Sequence, residues 1–158
     1  MAINVRPKET LATFTLTAEG SGVAQTVKPG GSTHEILTDA APAFGGRDAA
    51  PSPISYALAA LVSCSQVTAQ LVAKDLGIEL QSFAFDLSAD LDTAVLVGGA
   101  QTGDANFERV TVEATIRTSA TPEQFAALKA ETERRCPIYQ LYARSGVELT
   151  THWHAQAI

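Results

Sequence analysis

Two cysteines, Cys64 and Cys136, are the side chains of this sequence best suited to act as nucleophiles or to exchange electrons. A thiol does so as its thiolate, whereas an inert cysteine packs as a small hydrophobe, and both readings are open for each residue. Cys136 directly precedes Pro137, which favours the first position of a helix, so Cys136 is expected near that helix's N-cap. Exposed amides and the positive end of the helix dipole, with Arg134 and Arg135 beside it, predict a lowered thiol pKa there. Cys64 lies in the apolar stretch SPISYALAALVSCSQVTAQLVAKDLG, about three turns into an expected helix. The dipole acts mainly at the terminal turn, so Cys64 needs a charge from elsewhere or stays inert.

Metal chemistry is poorly supplied. Two thiols do not make a tetrahedral structural zinc site, and His34, His152 and His154 do not provide the missing spacing. His152 and His154 share one face of an expected strand, but no carboxylate lies close in sequence, so a solvated pair is expected and no metal. Gly45 and Gly46 precede no phosphate-loop pattern and are expected to permit a turn or a close chain approach.

The elements that must position the thiols follow from periodicity and punctuation. Residues 11–18 (LATFTLTA), 22–27 (GVAQTV) and 33–39 (THEILTD) read as a meander of strands, with turns expected at Glu19-Gly20 and Pro29-Gly30-Gly31. Residues 40–53 are rich in Ala, Gly and Pro and predict an irregular loop, in which Arg47 and Asp48 stand. Ser52 as N-cap, Pro53 at the first helical position and Gly77 after the last turn delimit one long helix. Its apolarity on all sides predicts a central, covered element. Strands are expected over 78–92 and 107–118, followed by a helix opened by the capping box Thr121/Gln124. That helix stops before Pro137, a short one ends at Gly146, and 147–157 closes as a strand. Tyr56, Tyr139, Tyr142 and Trp153 are expected mainly as packing residues. The class is α+β, lacking the βαβ alternation of nucleotide-binding folds.

The chain has 158 residues, 46% hydrophobic and 18% charged, enough for a single domain over 1–158, with the meander at 1–38 and both cysteines in a core at 52–158. A net charge of −6 gives no electrostatic footprint for nucleic acid. Ile54 to Ala73 carries no charge, yet Ser55, Ser63, Ser65, Gln66, Thr68 and Gln70 make it a buried soluble helix rather than a membrane span. The N-terminal residues lack the apolar core of a secretory signal, which predicts a cytoplasmic protein.

FGGRDAAPSPISYALAALVSC, then Gly77-Ile78-Glu79-Leu80, and much later RCPIYQLYARSGVEL, resemble the OsmC/Ohr superfamily of organic hydroperoxide reductases and their OsmC-like relatives. The resemblance covers about residues 44 to 149. It implies an intertwined homodimer of α+β protomers, built of antiparallel strands and long central cysteine-bearing helices, with active sites at the interface. It also implies that Cys64 attacks a small organic hydroperoxide and becomes a sulfenic acid, which Cys136 resolves to a disulfide. An external dithiol, lipoyl or low-molecular-weight, then restores both thiols, with no bound cofactor. Leu61, Val62 and Val67 beside Cys64 suit an alkyl or aryl substrate. Active members carry a glutamate after the helix-opening proline and an activating arginine. Here that position is Ile54, and Arg47 is the nearby candidate for the arginine, with Asp48 available to orient it or to make a turn. The departure keeps a second function open: an OsmC-fold protein that binds a small ligand or senses redox state, with weak or no peroxidase activity.

Overall fold

A computed structural model describes residues 10–158, which the chain divides after Tyr56 into two compact units. In the first unit, β1 (Leu16–Ser21), β2 (Ala24–Pro29) and β3 (Ile36–Thr38) form an antiparallel sheet in that order. The first turn lies at Gly22 and Val23, three residues beyond the position expected from Glu19-Gly20, and residues 11–15 lie outside β1. Ser21 pairs with Ala24, leaving a two-residue hairpin loop that requires a positive φ at its first position, and Gly22 supplies it at 63°.

The loop after β3 is braced by Asp39, a buried carboxylate 4% exposed. Its Oδ2 accepts the amides of Arg47 and Ala49, each at 3.0 Å. The loop folds back so tightly that a Cβ on Gly46 would lie 1.8 Å from the Ala40 carbonyl oxygen, the close approach expected of this glycine pair. Asp48 takes the left-handed conformation at φ 55° and donates its amide to Ala40, which makes it a turn residue. The amides of Ala49, Ala40 and Arg47, and last the charge of Arg47, hold the Asp39 carboxyl below its usual range against the opposing effect of burial. A depressed pKa contributes stability that is present above the ordinary aspartate value and is lost as pH falls through the folded value. Asp39→Asn is therefore expected to lower the thermal midpoint near neutral pH and to flatten its acid limb. Parallel acid limbs for the two proteins in thermal melts between pH 2 and 6 would remove Asp39 from this role.

Helix α1 (Pro53–Leu76) begins and ends where the sequence places it. Ser52 Oγ accepts the Ser55 amide at 3.1 Å as the N-cap, and Gly77 follows the last turn with φ 67°. By length and composition alone α1 would suffice to cross a membrane. Instead its Leu61, Ala69, Val72 and Ala73 are at most 1% exposed and join protein cores.

The second unit sets α1 from Ala57 onward with β4 (Leu80–Leu91), β5 (Phe107–Thr118), α2 (Pro122–Arg135), α3 (Pro137–Ala143) and β6 (Glu148–Ala157). Its sheet runs β4-β5-β6. β4 and β5 pair antiparallel as expected, but β6 runs parallel to β5, because the crossover through α2 and α3 returns the chain to the end where β5 began. Alternation along β5 buries Val110, Val112, Ala114 and Ile116. One core joins Ala69, Val72, Ala73, Ile78 and Leu128, with Trp153 against it in edge contact with Phe125. The other joins Leu61, Val110, Val112 and Val147, with Tyr139 and Tyr142 packed alongside. The α2 capping box forms as read from the sequence: Thr121 Oγ1 accepts the Gln124 amide and Gln124 Oε1 accepts that of Thr121.

Candidate functional site

The fold of the second unit brings Cys64 and Cys136 together. Cys136 is the single non-helical residue between α2 and α3, at φ −74° and ψ 113°, C-cap of one and N-cap of the other. Its sulfur accepts the Tyr139 amide at 3.4 Å and is 0% exposed. Ser65 Oγ stands 3.9 Å from the same sulfur while donating to the Leu61 carbonyl at 2.8 Å, so it turns a lone pair toward Cys136. Cys64 is partly exposed. Its polar neighbours are the Cys136 thiol, the Ile138 amide and the Thr68 hydroxyl. The first turn of α3 thus offers successive amides, Ile138 to Cys64 and Tyr139 to Cys136.

The electrostatics oppose ionisation of Cys64. Burial first, then hydrogen bonding and electrostatic repulsion with Cys136, push its pKa above the ordinary thiol value, against the Ile138 amide and Thr68 hydroxyl. Among the described residues no cation enters this balance. Arg134 Nη2 lies 2.7 Å from Glu131, and Arg135 Nη1 lies 2.6 Å from Asp75, so the positive charge that the sequence places beside Cys136 is spent on carboxylates. The first turn of α1 carries no acid, and Ile54 there is 38% exposed. Alkylation of Cys64 is accordingly expected to follow a midpoint above that of an ordinary thiol, and Cys136→Ala, which removes two of the upward pushes, to lower it. Iodoacetamide rates against pH, read by peptide mass, check this; an unchanged midpoint in Cys136→Ala would show that the two thiols do not interact.

The other candidates lie on other elements of the chain. Arg47 belongs to the first unit, exposed on the Asp39-braced loop. Of the apolar neighbours in sequence, Leu61 is committed to the core at 1% exposed, while Val67 is 62% exposed. His152 and His154 do face a carboxylate, one that register rather than sequence supplies: Glu113 pairs with His152 across β5 and β6. Its Oε2 lies 2.8 Å from His154 Nε2 and its Oε1 3.9 Å from His152 Nε2, all on an exposed sheet face. Among the described residues no three His, Cys, Asp or Glu side chains converge to hold a metal ion.

Ser65, Thr68 and the α3 amides are neighbours of the thiols that motif reading passes over. Thr68 carried a signal, since it follows Cys64 by one helical turn and is a polar residue expected on the same face.

Comparison with known proteins agrees with this architecture. The family model described as OsmC-like protein matches residues 45–152. No curated protein matches the chain. Among solved structures, an OsmC-like protein from Mycoplasma pneumoniae superposes with a TM-score of 0.75 at 16% identity, over 91% of this chain and 97% of that one. An organic hydroperoxide resistance protein from Elizabethkingia anophelis gives 0.70 at 22% identity, over 94% and 99%. One from Legionella pneumophila gives 0.69 at 20%, over 92% and 98%. At these identities the structures establish the fold, and the match of the family model over most of the sequence establishes that the chain belongs to the OsmC-like family.

Proposed function

We propose that the protein reduces organic hydroperoxides with Cys64 and Cys136 as a redox pair. The observation that carries this reading is the meeting of two thiols, distant in sequence, beside the first turn of α3. In the proposed cycle the Cys64 thiolate attacks the distal peroxide oxygen, the O–O bond breaks, and the alcohol leaves with a proton. Cys64 becomes a sulfenic acid. The Cys136 sulfur displaces its hydroxyl as water and closes the disulfide, so one hydroperoxide and two thiols yield alcohol, water and a disulfide. An external dithiol then reopens it. Two structural neighbours that are organic hydroperoxide resistance proteins support the substrate class.

Ionising Cys64 requires a cation that the second unit does not offer, and we assign it to Arg47 in a homodimer. The dimer reading rests on apolar surface left open in each unit: Leu16 and Leu37 in the first, 66% and 50% exposed, and Val67 and Leu71 on α1, 62% and 53% exposed. Nothing in the proposal involves nucleic acid, a membrane or a bound cofactor, and its reductive half-cycle fits the cytoplasm.

Intact mass of the reduced protein before and after one equivalent of cumene hydroperoxide tests the proposal. Loss of about 2 Da and of both free thiols, without cross-linking between chains, is the expected result. Unchanged mass and thiol count would sink it. They would favour a second reading, supported by the raised pKa of Cys64 and the apolar Ile54: a small-ligand-binding or redox-sensing member with weak or no peroxidase activity.

A further inference from the structure

The corner between α2 and α3 turns on one residue, Cys136, so the direction in which its sulfur faces depends on what holds the two helices at their angle. Glu133 stands at the centre of those contacts. Its side chain is 19% exposed and its Oε1 lies 2.7 Å from Lys129 Nζ, one turn back along α2. The same oxygen accepts the hydroxyl of Thr151 on β6. Its backbone carbonyl accepts Gln140 Nε2 of α3 at 2.9 Å. The phenol of Tyr139 lies against its carboxylate, and Tyr139 is the residue whose amide donates to Cys136 Sγ. With Lys129, Thr151 and Tyr139 around it, the carboxylate is engaged by groups other than the thiols, and no contact to either sulfur suits it to act as a base.

We propose that Glu133 is a positioning residue for Cys136: braced on its own helix α2 by Lys129, fastened to β6 through Thr151 and set against the Tyr139 phenol, it fixes the first turn of α3, and with it the Cys136 sulfur, opposite Cys64. A carboxylate tied to β6 and braced along α2 cannot follow α3 if the corner opens, so it acts as a stop. Ile138 and Tyr139 are consecutive in that turn, and a shift of α3 would move both sulfur-bonding amides at once. A misplacement of about 1 Å between reacting groups can slow a step on the order of 100-fold.

The inference rests on Cys64 and Cys136 acting as a redox pair, but its test does not need peroxide. Diamide takes two electrons and two protons from two thiols, first adding to one sulfur and then leaving as the hydrazine when the second sulfur attacks. Full-length wild type, Glu133→Ala, Glu133→Gln and Thr151→Val are reduced, treated with diamide, quenched by alkylation and weighed over time. Wild type is expected to close the disulfide. Glu133→Ala should close it about tenfold or more slowly and accumulate the single-sulfur diamide adduct, with first addition to Cys64 unchanged. Glu133→Gln, which keeps an acceptor for Thr151, should regain most of the rate, and Thr151→Val, which keeps the shape of the strand residue, should fall between. A merely structural residue would alter melting temperature without altering the partition between adduct and disulfide. Closure at the wild-type rate in Glu133→Ala overturns the proposal, as does the same result in Thr151→Val should the alanine variant fail to fold. Wild type that closes with diamide but ignores hydroperoxide leaves Glu133 in place and removes the peroxidase reading. Wild type that closes with neither removes both.

Discussion

Replacing Cys64 by serine is expected to bring hydroperoxide turnover to background, a loss on the order of 1,000-fold or more, as when other covalent nucleophiles are removed. A hydroxyl at this place has no activating base: its neighbours are a thiol, an amide and a threonine hydroxyl. Cys136→Ser should behave differently. Cys64 would still take one oxygen from the peroxide, but the sulfenic acid would find no second thiol. A second equivalent of peroxide would then carry it to the sulfinic acid, a gain of about 32 Da on the reduced mass. Wild type given the same excess should resist this, because closure of the disulfide competes with the second oxidation. A stopped assay for residual hydroperoxide, paired with intact mass, separates the cases. Equal turnover by Cys64→Ser and wild type would refute the role of Cys64. Equal over-oxidation of wild type and Cys136→Ser would leave Cys64 as the nucleophile and remove Cys136 as its resolving partner.

The two thiols were legible in different degrees. Cys136 was placed by local chemistry, because Pro137 opens α3 and leaves the preceding residue as its cap, which is where the sulfur stands. The limits of α1 and the Thr121/Gln124 box are likewise local, made by residues within one turn of each other. The hairpin turn lies three residues beyond Glu19-Gly20 because that pair and the following Ser-Gly-Val offer two glycines, and only strand register selects Gly22. The parallel pairing of β6 depends on where the crossover delivers the chain, which periodicity does not encode. Arg134 and Arg135 show the limit most clearly. Counted along the chain they electrify Cys136, whereas in space Glu131 and Asp75 take both charges. Asp39 meets the Arg47 and Ala49 amides, and Glu133, beyond the i−4 Lys129 that spacing does choose, meets Gln140 and Thr151, partners that no spacing rule would have chosen.

Introducing a charge on the open face of α1 is expected to have the second large effect. Val67 and Leu71 lie one turn apart, 62% and 53% exposed, while Thr68, Ala69, Val72 and Ala73 between and beside them are buried. A long helix that is covered on one side and apolar on the other calls for a second surface. In a twofold dimer each protomer would contribute both residues, and burying each side chain is worth up to about 1.5–3 kcal/mol, reduced here by the part already covered. Val67→Glu with Leu71→Glu would replace that gain by the cost of desolvating like charges across the axis. Sedimentation should show wild type at twice the 16.6 kDa chain and the double variant at the chain mass, with its hydroperoxide activity lost if Arg47 of one copy serves Cys64 of the other. Val67→Ala with Leu71→Ala, which removes apolar area but adds no charge, should weaken association less than the charged pair. A wild type that sediments as a single chain would remove the dimer, and activity retained by a monomeric double variant would require the Cys64 thiolate to be formed within one protomer.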